Sequence, residues 1–132
     1  MRTMKISATI GAVALAGSLL APATAVAGGS DREEIRTGAC SGLADWKIKV
    51  SPENGRLEVE YEVDVNRRGQ RWQVRLFHGG RRIHSDVHRT RARSGSFTVR
   101  ALERNTAGGD GFRARAVRLG GDQQKCAGRV RF

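Results

Sequence analysis

Apolar and polar residues alternate along residues 57–65 of this 132-residue chain. Leucine, valine and tyrosine occupy the odd positions, and acidic residues occupy the even positions. Because successive side chains of a β-strand point to opposite faces, this pattern predicts a strand with one face in the core and one in water. Residues 46–50 alternate in the same way, with Lys47 and Lys49 outward, and predict the strand before it.

Further stretches between turn-forming residues carry a strand pattern as well. They bring the total to eight short strands, a number and spacing typical of two packed sheets. We therefore predict an all-β fold, a two-sheet antiparallel sandwich of immunoglobulin-like or fibronectin-like type, with a small closed β-barrel as the alternative. The additional strands are expected at residues 35–40, 71–77, 96–101, 112–117 and 126–132, and directly after the Gly79-Gly80 turn.

Turn residues between the strands suggest three hairpins and their registers. Pairing Val50 with Leu57 around the turn at residues 51–56 brings Lys49 opposite Glu58, so core and charge patterns agree. A second hairpin is expected to pair Val65 with Trp72 and Glu62 with Arg75. The third turns at Gly79-Gly80 and is expected to pair Leu76 with Ile83, Val74 with Ser85 and Trp72 with Val87.

The beginning of the chain has the pattern of a secretory signal peptide. Arg2 and Lys5 precede an apolar run at residues 6–21, and the small-residue motif Ala25-Val26-Ala27 follows it. The run is shorter than the roughly 20 apolar residues that span a bilayer. We therefore predict cleavage after Ala27, with residues 1–27 as the signal peptide and residues 28–132 as a single secreted, extracellular domain.

The two cysteines, Cys40 and Cys126, lie near opposite ends of this domain. In an oxidising compartment an even number of cysteines predicts an intrachain disulfide, here between the first and the last strand. Zinc and redox sites favour closely spaced cysteines, and the chain has no CxxC motif. We therefore expect a structural disulfide and no metal site at these residues.

Charge divides the predicted domain into two parts. Residues 28–65 carry five basic and nine acidic side chains, whereas residues 66–132 carry 17 basic and four acidic ones. Of the 24 basic residues in the whole chain, 20 are arginine, which suits bidentate contact with phosphate, sulfate and carboxylate groups. The second part therefore suggests a site for a polyanion.

The densest basic run, residues 88–93, is expected to leave the sheet as an exposed linker. Outward-facing arginines on later strands would add to a basic patch if those strands adjoin. The candidate polyanion-binding residues are therefore Arg89, Arg91, Arg93, Arg100, Arg113 and Arg115, with Arg129 and Arg131 as further outward positions.

Other candidate sites in the sequence have weaker support. His78, His84 and His88 are expected at the surface, and the last two, about 13 Å apart along a strand, are not expected to share a metal. Residues 64–69 resemble the start of a calcium loop but lack its ligands, and we interpret them as a hairpin turn. No serine lies in the G-x-S-x-G motif of a nucleophile elbow. We expect no catalytic residue, no metal and no cofactor.

Several segments resemble those of small secreted actinobacterial proteins of unassigned function. These segments are residues 51–59, 66–72 and 94–97, together with the alanine-rich export signal and a cysteine near each end. The resemblance implies export and an immunoglobulin-like all-β fold, and it implies no activity. We therefore expect a non-enzymatic binding module whose partner is an anionic polymer or an extracellular protein. The alternatives are a small secreted enzyme acting on cell wall or polysaccharide, and a protease inhibitor with its loop at residues 104–111.

Overall fold

The computed structural model describes residues 32–91 and 93–132, and the eight predicted strands are all present there. The predicted signal peptide, residues 1–27, lies outside the described residues. No helix in the described part of the chain has the length and apolar character needed to cross a membrane. The strands are β1 (Glu34–Ala39), β2 (Asp45–Glu53), β3 (Arg56–Asp64), β4 (Arg71–His78), β5 (Arg81–Arg89), β6 (Ser96–Arg104), β7 (Gly111–Leu119) and β8 (Lys125–Arg131).

The strands form two four-stranded antiparallel sheets. Sheet A has the order β1-β2-β3-β6, and sheet B has the order β5-β4-β7-β8. The connections β3–β4, β5–β6 and β6–β7 each pass from one sheet to the other. Over the described residues the sheets do not close into a barrel, so the predicted sandwich is confirmed and the barrel alternative is wrong.

The core lies between the inner faces of the two sheets, as the alternation predicts. In sheet A the odd positions of β3 are buried, and Tyr61 is fully enclosed. In sheet B the buried positions are the even ones of β4, β7 and β8, where apolar side chains alternate with exposed arginines. The largest enclosed core side chains of sheet B are Trp72, Phe112 and Leu76.

One end of the sandwich joins the edge strands β1 and β8. The predicted disulfide between Cys40 and Cys126 is confirmed, with their Cα atoms 4.4 Å apart. Nearby, the indole ring of Trp46 lies over two glycines, one in each sheet. A Cβ atom on Gly38 would lie 2.6 Å from the ring, and one on Gly128 would lie 2.5 Å from it. Both positions therefore need glycine because the indole occupies the space of a side chain.

The first predicted hairpin exists, but its register is wrong by two residues. The structure pairs Val50 with Val59 and Lys49 with Glu60. The turn consists of Asn54-Gly55 alone, both at positive φ, so residues 51–53 continue β2. Pro52 is tolerated within β2 because β1 ends its pairing at Val50 and no neighbour there needs the missing N–H.

The second predicted hairpin is wrong. β3 pairs with β6 and β4 pairs with β5 and β7, so Glu62 lies opposite Thr98 and is in a different sheet from Arg75. Residues 65–70 form a crossing between the sheets rather than a hairpin turn. Asn66 turns the chain there at φ 54°, and its N–H donates to the Asp64 carboxylate at 3.0 Å.

The third hairpin turns at Gly79-Gly80 as predicted, but a β-bulge changes its register by one residue. The pairing shifts between Leu76 and Phe77, so Leu76 lies opposite His84 instead of Ile83. A one-residue shift exchanges the two faces of a strand. The inner side of β5 therefore carries His84, Asp86 and His88 in place of Ser85 and Val87, while Ile83, which has no partner in the bulge, still packs against the core.

Candidate functional site

The outer face of sheet B is lined with basic side chains. Residues that lie directly opposite each other on neighbouring strands point to the same side, so the pairing of the four strands defines this face. It carries nine basic residues, all of them exposed, and no acidic residue. We call it the arginine face, and its basic members are Arg71, Arg75, Arg82, Arg89, Arg113, Arg115, Lys125, Arg129 and Arg131.

Like charges are direct neighbours on the arginine face. Arg75 lies opposite Arg115, and Arg113 lies opposite Arg129. Opposed Cβ atoms in an antiparallel pair are about 4.5–5.5 Å apart, a distance at which like charges destabilise the sheet. Among the described residues, none of the nine basic side chains forms a salt bridge with a carboxylate. The neighbouring arginines therefore repel each other, and a bound anion would reduce this repulsion.

A groove of about 620 Å³ lies over β7 and the edge strand β8 of this face, where Trp46 of sheet A also contributes to its lining. Phe77 and the small residue Ala127 contribute to its lining, and the guanidinium of Arg113 stacks 5.0 Å from the centre of the Phe77 ring. This stacking holds one guanidinium in place while its N–H groups remain free to donate. The arginines that line the groove are Arg75, Arg113, Arg115 and Arg129.

The outer face of sheet A has a different charge pattern. Six acidic and five basic side chains share it, and several of them pair across strands. Lys49 Nζ lies 2.9 Å from one oxygen of Glu60, and Arg100 Nε lies 2.5 Å from the other. The hydrogen bond from Lys49, followed by the one from Arg100, holds the pKa of Glu60 below its ordinary value. This face is nearly neutral, so the charge imbalance of the sequence becomes an asymmetry between the two sheets.

The structure separates the six candidate arginines into three groups. Arg113 and Arg115 lie together on β7 in the middle of the arginine face, and Arg89 lies at its β5 edge. Arg100 lies on the opposite side of the sandwich, paired with Glu60. Arg91 and Arg93 belong to the connection between β5 and β6.

The basic run at residues 88–93 is not the simple exposed linker that was expected. β5 continues to Arg89, and Arg91 forms an isolated bridge with Ser96. Thr90 is buried, and its hydroxyl donates to the Arg67 carbonyl at 2.6 Å. The run is therefore anchored to the sandwich on both sides of Thr90.

Sequence reasoning missed Arg71, Arg75, Arg82 and Lys125 as members of this face. Arg75 was expected to pair with Glu62, and that error concealed it. The excess of basic residues in the second part of the chain indicated that such a face exists, because all of sheet B comes from residues after 65.

His78 is largely covered, with 9% of its side chain exposed, which corrects the expectation of a surface position for this residue. Its Nε2 lies 2.6 Å from Asp110 and its Nδ1 lies 3.2 Å from Glu103. Burial of Asp110 opposes ionisation, but hydrogen bonds from the Thr106 hydroxyl, His78 and the Thr106 N–H outweigh it and lower the pKa of Asp110. This network fastens the β6–β7 connection to the end of β4.

Comparisons with protein-family models, with curated proteins and with solved structures found no match for this chain. Support for the candidate site therefore comes from its geometry alone. In residues 32–91 and 93–132, no group of three or more histidine, cysteine or acidic side chains is arranged to hold a metal.

Proposed function

We propose that this protein is a secreted, non-enzymatic binding module that binds an extended anionic polymer through the arginine face. The observation that carries the proposal is the set of nine exposed basic side chains on one sheet face, with no acidic residue among them. Arginine donates two parallel hydrogen bonds to phosphate, sulfate or carboxylate, so any polymer of these groups fits the chemistry.

The dimensions of the face favour a polymer over a small anion. Strands lie about 4.8 Å apart, so the four strands of sheet B span about 14 Å, and residues 71 and 75 of one strand are about 13 Å apart. A single phosphate reaches only arginines that are direct neighbours. A chain of anionic groups that crosses the strands meets arginines on each of them.

Secretion and the finer fold type belong to the same proposal. The disulfide suits an oxidising compartment and supports export by the segment at residues 1–27. The connections that pass between the sheets support an immunoglobulin-like or fibronectin-like arrangement, in which sheet B is extended by β5. A basic sheet face that carries no carboxylate is better suited to surface binding than to catalysis.

The enzyme alternative has less support from the described residues. A glycosidase needs two carboxylates across a cleft, with one free to accept or donate a proton. The acidic row of β3 lies instead on a nearly neutral sheet face, where Glu60 and Glu62 contact lysine or arginine. The arginine face itself offers no carboxylate.

The test is the salt dependence of binding to heparin and to duplex DNA by the processed, oxidised domain. The face variant R75Q/R113Q/R115Q/R129Q removes the arginines around the groove. The control variant K47Q/R56Q/R100Q/R104Q removes the same charge from the outer face of sheet A. A third variant, R89Q/R91Q/R93Q, tests the basic run after β5.

We expect the native domain to bind both polymers with a steep dependence on salt. On duplex DNA each lost phosphate contact reduces the slope of log K against log salt by about 0.9, so the face variant should lose up to about 3.6. The control variant should keep most of the native slope. If both variants lose the same slope, binding follows net charge and the proposed face is wrong. If the native domain binds neither polymer at physiological salt, a protein partner replaces the polymer.

A further inference from the structure

Two histidines converge at the open edge of the sandwich, where β5 of sheet B faces β6 of sheet A. The β-bulge between Leu76 and Phe77 turns His84 and His88 to the inner side of β5, opposite Leu76 and Trp72. Because β5 is the edge strand of its sheet, this inner side is only partly covered, and both histidines are half-buried. Bulges of this kind commonly redirect side chains next to functional sites.

The two imidazole rings lean toward each other along the strand. Their Nε2 atoms lie 3.0 Å apart and their ring centres 5.2 Å apart. The separation of about 13 Å expected from strand geometry describes the backbone and is wrong for the side chains. His88 also stacks on Phe97 of β6 at 5.7 Å, with an angle of 22° between the rings. Phe97 is buried, so this contact fixes the orientation of one imidazole.

The close approach of two ring nitrogens has a specific chemical meaning. Between neutral imidazoles, one Nε2–H donates to the other Nε2, and protonation of both rings would put like charges together. Burial, followed by repulsion from His84, lowers the pKa of His88 and outweighs the opposing influence of Asp86. When a metal ion binds both Nε2 atoms, the donating ring changes tautomer so that its proton lies on Nδ1, and each neutral ring then offers an Nε2 lone pair.

The distance favours one group of metals. With metal–nitrogen bonds of about 2.0–2.1 Å, two nitrogens 3.0 Å apart subtend roughly 91–97° at the metal. This is the angle between adjacent ligands in the square-planar or tetragonal geometry of Cu²⁺ and Ni²⁺, whereas tetrahedral Zn²⁺ needs about 3.4 Å. Cu²⁺ also has the highest affinity of the divalent first-row metals for nitrogen ligands.

We propose that His84 and His88 form a surface binding site for Cu²⁺, with adjacent coordination positions open to water or to a further ligand. The site is independent of the arginine face, because the histidines lie on the inner side of β5 and the arginines on the outer side of the sheet. Asp86 lies between them on the inner side, and its carboxylate accepts a hydrogen bond from the Val87 N–H at 2.7 Å.

The test begins with the metal-free, folded domain and CuSO₄. Substoichiometric Cu²⁺ is added while the imidazole resonances are followed by NMR, because the paramagnetic ion broadens nearby nuclei. We expect the signals of His84 and His88 to disappear first. His78, whose two ring nitrogens contact Asp110 and Glu103, is the internal control and should persist.

Variants H84Q, H88Q and H84Q/H88Q provide the second readout. Calorimetry of the native domain should show one Cu²⁺ bound per chain at this site, and each variant should lose that binding step. Electron paramagnetic resonance should show nitrogen coupling that disappears in the double variant. If the bound Cu²⁺ and its spectrum persist in the double variant, the ion binds elsewhere, for example at the new amino terminus, and the proposal is wrong. If His78 broadens together with the other two, the assignment to β5 is also wrong.

Discussion

The packing of Trp46 between the sheets makes a sharp prediction for Gly128→Ala. The new Cβ would lie 2.5 Å from Cζ3 and 2.7 Å from Cε3 of the indole. Carbon atoms in favourable contact are about 3.5–4.0 Å apart, so the ring or the backbone of β8 has to move by about 1 Å. The ring has little room to move, because its other end lies equally close above Gly38.

Overpacking of this kind costs about 1–3 kcal/mol of unfolding free energy. For a domain of about a hundred residues, that loss lowers Tm by roughly 5 to 20 °C. The assay is guanidinium and thermal unfolding followed by far-ultraviolet circular dichroism, with the disulfide intact. Gly111→Ala is the matched control, because a Cβ there meets no atom within 4 Å and φ is not positive.

A double-mutant cycle tests the cause of the loss. In a Trp46→Leu background the indole is absent, so Gly128→Ala should cost little and the two substitutions should show clear coupling. The reasoning is refuted if Gly128→Ala is as stable as Gly111→Ala. It is equally refuted if the cost of Gly128→Ala is unchanged in the Trp46→Leu background.

Three further predictions concern stability. Tyr61→Phe should raise the unfolding free energy by about 1 kcal/mol in urea titrations, because the buried hydroxyl has no hydrogen-bond partner among the described residues; a loss of stability would contradict this. Asp110 has a folded-state pKa below its ordinary 3.8, so its contribution is present above that pH and is lost as the pH falls through the folded-state value. The stabilities of native protein and Asp110→Asn should therefore converge between pH 5 and pH 2, whereas a constant difference would refute the assignment. Replacing Cys40 and Cys126 by serine opens a loop with a sequence separation of 86. The unfolding free energy measured in urea should fall by about 4–5 kcal/mol. A loss near zero would show that the disulfide does not constrain the unfolded chain.

The strands could be predicted from the sequence because alternation is a local property. In β3 the odd positions are buried and the even positions face solvent, as the sequence indicates. The pairing of strands is not local. The turn residues at 66–70 suggested a hairpin in which Glu62 would pair with Arg75, but the chain crosses to the other sheet between them. Opposite charges at matching positions are therefore insufficient to establish a register.

The bulge in β5 shows a second limit. Nothing in the sequence around Ile83 distinguishes a bulge from regular pairing, which would keep Ile83 inward and turn His84 outward. The structure nevertheless turns His84 inward at an edge where the side is partly open. The histidine pair could be found only once the register was known.

The sequence shows that residues 66–132 carry an excess of basic side chains, but it does not show which of them share one face of a sheet. The second part of the chain builds all of sheet B, so its basic excess had to appear on that sheet's solvent side. Arg100 belongs to the same part of the sequence but lies in sheet A, where Glu60 pairs with it. Which arginines converge therefore depends on the topology.

The most direct test of the central claim is to map a bound polyanion onto the folded domain. Backbone amide resonances of the ¹⁵N-labelled domain are followed as a short heparin oligosaccharide is added. The account predicts that shifts concentrate at outward positions of β4, β7 and β8, with the largest near Arg113, Arg115 and Arg129. Shifts on the outer face of sheet A, or spread evenly over both sheets, would contradict it.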